Sequence, residues 1–214
     1  AARDIPGTTI VLKLREDQKE YFDSWRIREL VKKYSNFIAY PIRFGENGEP
    51  PKEDVEPLNA MTALWKRSKN DVKKEEYNEF YTHLTHDHQE PLKTIHVAVE
   101  GVIEFSALLF VPKQAAFELM LPNQKHGLNL YVRNVLIGSE FDMLLPEYLR
   151  FVKGVVDSSD LPLNVSREIL QDDAVVRKIK SNITGKILNT LSDMMKNEPD
   201  KYKDFYGSFG RILK

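Results

Sequence analysis

The chain has 214 residues, 42% of them hydrophobic and 29% charged, and its 31 basic and 32 acidic residues leave a formal net charge of -1. This balance suits a globular protein with a sizeable core and supplies no global field to gather nucleic acid or an anionic membrane, so neither is expected as a partner. Zero cysteines exclude disulfides, thiolate metal sites and thiol catalysis, and no apolar run approaches a membrane-spanning helix or a signal peptide, so the cytoplasm is the default compartment.

Residues 8–14 alternate, with Ile10, Leu12 and Leu14 on one face, which predicts a half-buried strand. Ser24 is the predicted N-cap of a helix striped by Ile27, Leu30, Val31 and Tyr34, and residues 37–42 read as a second strand. Residues 44–58 shift to Gly, Pro, Glu, Lys and Asp, with too little apolar surface to offset ordering, and read as a linker. Leu64 and Trp65 then open a second region, and a helix after Asp71 carries Tyr77, Phe80, Tyr81 and Leu84 at helical spacing.

Residues 95–99 and 102–111 flank Glu100 and Gly101 as an antiparallel hairpin, whose second strand is apolar enough to be central in the sheet. Residues 128–137 add a third strand. Between them Phe117, Leu119, Met120 and Leu121, caught between Pro112 and Pro122, predict a partly exposed apolar segment. Residues 141–149 predict a short helical connection and residues 151–156 a fourth strand. A long helix follows over 173–197, with Val175, Ile179, Ile183, Ile187, Leu191 and Met194 on one face, and a last helix over 200–207 is opened by Pro199. The fold class is α/β (α+β): a layered sandwich of a mixed sheet covered by helices, preceded by a short strand-helix-strand segment.

The stretch DSSDLPLNVSREILQD (157–172) joins the fourth strand to the long helix. Pro162 fixes one φ angle, Asn164 and Ser166 are N-cap types, and Arg167 follows at a helix start whose free N–H groups favour anions. A phosphate suits such a corner; a local ion pair of Arg167 with Glu168, Asp172 or Asp173 is the alternative. His83, His86 and His88 form H-x-x-H-x-H beside Asp87 and Glu90, but the spacing misses the i, i+4 pairing of a zinc-binding helix, so an exposed polar helix end is expected and no metal. The absence of a Gly-rich phosphate loop and of a nucleophile elbow argues against a self-contained α/β enzyme.

The segment LPLNVSREILQ (161–171), together with LWKR (64–67), EEYNEFY (75–81), VEG (99–101), LFVP (109–112), HGLNLYV (126–132) and FVKGVVDS (151–158), resembles the heat shock protein 90 chaperones in their bacterial, HtpG-like form. The resemblance implies that residues 1–43 close the N-terminal nucleotide-binding domain, that 44–58 are a short charged linker, and that 59–214 are the large α/β part of the middle domain. It implies a piece of an ATP-dependent, stress-related folding chaperone that is a homodimer when complete, sited in the cytoplasm or an organelle. ATP and magnesium belong to that complete protein and the piece alone is expected to be inactive. Arg167 matches the catalytic-loop arginine that reaches the ATP γ-phosphate, Gln171 the glutamine that sets the loop, and Asn164 lies in the same loop.

Leu136 matches a position in an apolar patch that docks the N-terminal domain, with core packing equally compatible, and Arg133 matches a basic residue nearby. Phe117, Leu119, Met120 and Leu121 are expected to contact unfolded or partly folded client proteins. His88 stands where the family often has an aromatic residue implicated in client contact, which puts that contact in doubt. The competing class is a client-binding module with no part in hydrolysis. Further expected partners are the N-terminal and C-terminal domains of the same protein.

Overall fold

The apolar run FSALLFV becomes β2 (Phe105–Val111), with every residue but Ser106 buried. The computed structural model describes residues 7–45, 51, 54–116, 119, 126–162, 170 and 173–213. Its other strands are β1 (Lys93–Val99), β3 (Leu128–Val132), β4 (Val135–Phe141) and β5 (Lys153–Ser158), and its helices are α1 (Ser24–Tyr34), α2 (Lys74–Thr85), α3 (Ala174–Asn197) and α4 (Pro199–Phe209). The five strands form one sheet in the order β1-β2-β5-β3-β4, antiparallel throughout except for the parallel β3–β5 pair. The fold is therefore the expected α/β arrangement of a mixed sheet with helices.

Both faces of the sheet are covered, because alternate residues of each strand point to opposite sides. On one side Ile95, Val97, Phe105, Ala107, Leu109, Val111, Leu130, Val132 and Val156 meet α3 and α4. The α3 stripe is Val176, Ile179, Ile183, Ile187, Leu191 and Met194, starting one residue later than the sequence pattern implied, since Val175 is only partly buried. Ile179, Ile183 and Ile187 have no exposed surface, so each contributes about 2 kcal/mol of burial. On the other side Leu108, Phe110, Tyr131, Leu136 and Val155 meet α2 and the segment carrying Ala63 and Trp65.

Local sequence explains the helix ends. Asp173 accepts from the Val175 and Val176 N–H groups at 2.7 and 3.2 Å and starts α3. Pro199 opens α4, where its missing N–H costs nothing. Between the two helices Glu198 meets Lys201 at 2.5 Å and pairs with Lys93 of β1. The bonds from Lys201 and then Lys93 hold its carboxyl down at about 2. A depressed carboxylate stabilises the fold fully above its unfolded value and loses that contribution as pH falls through the folded one. The melting temperature of Glu198→Gln is thus expected below that of the native chain at pH 7, with the gap closing between about pH 4.5 and pH 2. A gap that stays constant over that range would remove the ion pairs as its cause.

Several expectations change. Residues 8–14 form no strand: Ile10 and Leu12 are 79% and 77% exposed, since among the described residues no element lies alongside to pair their backbone. Residues 37–42 are not a strand either. Their backbone is met by one side chain, Asn59, which donates to the carbonyls of Ile38 and Tyr40 at 2.9 and 3.0 Å and accepts from Ile42 N–H at 2.8 Å. The cap of α1 is Asp23, accepting from Trp25 N–H at 2.9 Å, rather than Ser24. Residues 128–137 are two strands, β3 and β4, joined by a tight turn at Arg133 and Asn134, both with positive φ (51° and 66°). Residues 141–149 hold two short 3-10 turns, and Phe141 belongs to β4.

Phe37 precedes the predicted linker yet packs edge-on against Trp65 at 4.7 Å, Tyr131 at 5.8 Å and Phe80 at 6.3 Å between ring centroids. Each such pair adds about 0.5–1.5 kcal/mol beyond burial. The end of the predicted linker also meets the residues before it, through Leu58 N–H to the Ile42 carbonyl at 2.8 Å and Arg43 to the Val55 carbonyl at 3.0 Å. Phe37→Ala is expected to speed amide exchange across 36–42 while β2 and β5 stay protected. Unchanged exchange there would show that the ring does not hold residues 36–42.

Candidate functional site

The last residues of β5 root the stretch that carries Arg167. Ser158 is buried and donates from its hydroxyl to the Glu104 carbonyl at 2.7 Å, and Asp160 accepts from the Glu104 N–H at 2.7 Å, so this root is tied to the β1–β2 loop. Leu161 is 2% exposed and Leu170 1% exposed, and both belong to the cluster under α3. Asn164, Arg167 and Gln171 lie outside the described residues. In sequence the buried Leu161 and Leu170 stand on either side of residues 163–169, and the Asp173 cap comes three residues after Leu170.

Asp157 precedes that root on β5 and has no exposed surface. Its carboxylate accepts the Trp65 indole N–H at 3.0 Å and the Asn134 backbone N–H at 3.2 Å, and lies 3.6 Å from Lys66 Nζ. Burial, and secondarily the nearby Asp157 charge, push the Tyr131 hydroxyl up to about 12. Beside this group His96 is buried, with Nδ1 2.7 Å from the Tyr77 hydroxyl and Nε2 3.1 Å from the Trp65 carbonyl. A carbonyl only accepts, so Nε2 carries the proton and Nδ1 accepts from Tyr77. Burial pushes the His96 pKa down, in keeping with this neutral tautomer.

The other sequence-predicted residues scatter. Arg133 is exposed on the β3–β4 turn, three residues from Leu136, which is 7% exposed and packs in the Trp65 cluster; for Leu136 the geometry is that of core packing. Leu119, expected at a client surface, is also only 7% exposed and lies in the core, because its apolar side chain finds the cluster beneath the sheet end. Phe117, Met120 and Leu121 lie outside the described residues. His88 is exposed, and so are His83 and His86, the latter ending α2 at φ 58°. Among the described residues no three His, Asp or Glu side chains converge as a metal site. Sequence reasoning missed Asp157, Trp65 and Asn59. A signal for the first was present, since Asp157 alternates with the apolar Val155 on one face of β5.

A mixed sheet between two helical layers, with a buried carboxylate at the root of a strand-to-helix segment, defines a layered α/β sandwich domain. The family model described as Hsp90 protein matches residues 49–214. The chaperone protein HtpG of Geobacter sulfurreducens is 51% identical over 229 residues, covering 100% of this chain and 35% of that protein. HtpG of Salmonella typhi is 46% identical over 211 residues (97% of this chain, 34% of that protein), and HtpG of Citrobacter koseri 44% over 215 residues (99% and 34%). The chain belongs to the heat shock protein 90 family, and it spans about a third of the length of the relatives it matches.

Proposed function

We propose that this chain is the part of an ATP-dependent chaperone in which Arg167 completes an ATPase site held by a separate N-terminal domain. What supports the reading is the likeness of the segment 161–171 to the family's catalytic loop, together with the burial of its two described residues, Leu161 and Leu170. Transition-state stabilisation of this kind depends on a charged group preorganised where negative charge develops. ATP with its magnesium is the substrate. The guanidinium of Arg167 would meet the charge that spreads over the transferring phosphoryl group, while Asn164 and Gln171 would set the segment.

In the same reading residues 1–43 belong to the nucleotide-binding domain, 44–58 connect it, and 59–214 form the middle domain of a cytoplasmic homodimer. The chaperone relatives support binding of unfolded clients as well. Phe117, Met120 and Leu121 remain in that role, whereas burial removes Leu119 from the contact surface. Hydrolysis by the full-length protein carrying Arg167→Ala is the test: turnover must fall while ATP affinity holds.

A further inference from the structure

Where β5 begins, the sheet and the end of α2 enclose a partly open cavity of about 300 Å³. Its apolar wall includes Leu84 of α2, Pro112 just after β2 and Phe151 just before β5, and the last two are buried. Charged groups of both signs share the same space: Asp87 and Glu140 bring carboxylates, and Lys153 brings an ammonium.

Small-molecule sites occupy about 300–1,000 Å³ and combine apolar walls with a few placed polar groups, so this cavity has the size for a single amino acid rather than a nucleotide. Lys153 is half-buried and alternates with Val155 on the α2 face of β5. Among the described residues it makes no ion pair, although two carboxylates line the same cavity. A cation drawn partly out of water without a partner carries a desolvation cost that a ligand carboxylate would offset. Asp87 is held in a fixed orientation, accepting from the Tyr81 hydroxyl at 3.0 Å and from the Gln89 N–H at 2.9 Å. Burial, and then the bond to Asp87, push the Tyr81 hydroxyl pKa up, so it stays a donor. A carboxylate offers about four acceptor sites, which leaves about two on Asp87 for a ligand.

We infer that this cavity binds a free amino acid with an apolar side chain, its carboxylate on Lys153, its ammonium on Asp87 and its side chain against Leu84, Pro112 and Phe151. A zwitterion answers both signs of charge in the wall. A lone anion would face Asp87 and Glu140 without compensation, and a lone cation would leave Lys153 without a partner. The inference stands apart from the ATPase reading, since none of these residues belongs to the segment 161–171.

The test is calorimetric titration of the full-length protein with three probes that share a ring and differ in charge: phenylalanine, hydrocinnamate, which lacks the ammonium, and phenethylamine, which lacks the carboxylate. Phenylalanine is expected to bind saturably and about tenfold tighter than either analogue. Lys153→Gln is expected to weaken phenylalanine about tenfold while leaving phenethylamine unchanged, because that probe has no group for the lysine. Asp87→Asn is expected to weaken phenylalanine similarly and leave hydrocinnamate unchanged. Absence of saturable phenylalanine binding overturns the inference and leaves a water-filled cleft. An analogue that binds as tightly as phenylalanine overturns it too, as does an affinity for phenylalanine that neither substitution alters. If Asp87→Asn loosens the end of α2 through the Tyr81 bond and does not fold, Lys153→Gln with the three probes decides alone.

Discussion

ATP turnover by the full-length protein is expected to fall about a hundredfold when Arg167 becomes alanine, with the affinity for ATP nearly unchanged. Phosphoryl transfer leaves charge on oxygens that the ground state shares differently, so a guanidinium that arrives only when the domains close stabilises the transition state above the bound substrate. One such charge-assisted contact is worth on the order of 3 kcal/mol, and each 1.36 kcal/mol is about tenfold in rate. In the proposed reading the loss should lie in kcat, because ground-state binding would belong to the other domain. Lysine should rescue poorly, since a point charge lacks the planar fork. Gln171→Ala should do less harm, because it orients the segment and does not neutralise charge. Wild-type turnover by Arg167→Ala would return the arginine to a local ion pair.

The second large effect is on folding and pairs two glycines. Gly154 lies in β5 opposite Leu109 with φ 152°, and a Cβ there would sit 2.3 Å from the Leu108 carbonyl oxygen and 2.9 Å from Leu109 Cα. Both obstacles are backbone in the middle of the sheet and cannot step aside. The strained φ and the overpacking together should cost Gly154→Ala about 4 kcal/mol, or roughly 8–16 °C in melting temperature for a chain of this size. Gly185 lies inside α3 with nothing within 4 Å of a built Cβ. There alanine should stabilise by about 0.5–1 kcal/mol, because helix propensity is the only term left. Two melts by circular dichroism decide it, and equal shifts for both variants would refute the steric account.

Elements whose pattern is complete within the chain segment were legible. The apolar residues of α3 recur every three or four positions, and β2 is apolar almost without interruption, so both stand close to where the pattern put them. The β3–β4 turn was missed because Arg133 and Asn134 both take positive φ in a turn that usually advertises itself with glycine. The strand expected at residues 8–14 had the right alternation, but alternation specifies only which side faces a core. It does not supply the neighbouring strand that must accept the backbone hydrogen bonds.

The candidate site divides in the same way. Arg167, with Asn164 and Gln171, came from a contiguous segment and a family likeness, and the surrounding anchors Leu161 and Leu170 are apolar residues with ordinary reasons to be buried. Asp157 could not be recognised as a hub, because its donors Trp65 and Asn134 lie 92 and 23 residues away. Asn59 likewise replaces a whole strand ladder for residues that precede it by 17 to 21 positions.

By itself the sequence determined the family, the mixed α/β class, and the faces of α2, α3 and β2, since these depend on residue type and local period. Only the tertiary structure decided that Leu119 and Leu136 are core, that Phe37 seats against Trp65, and that one buried carboxylate joins three segments. The physical reason is that burial and hydrogen-bond partnership are properties of what comes alongside a residue, and what comes alongside is chosen by the whole chain at once.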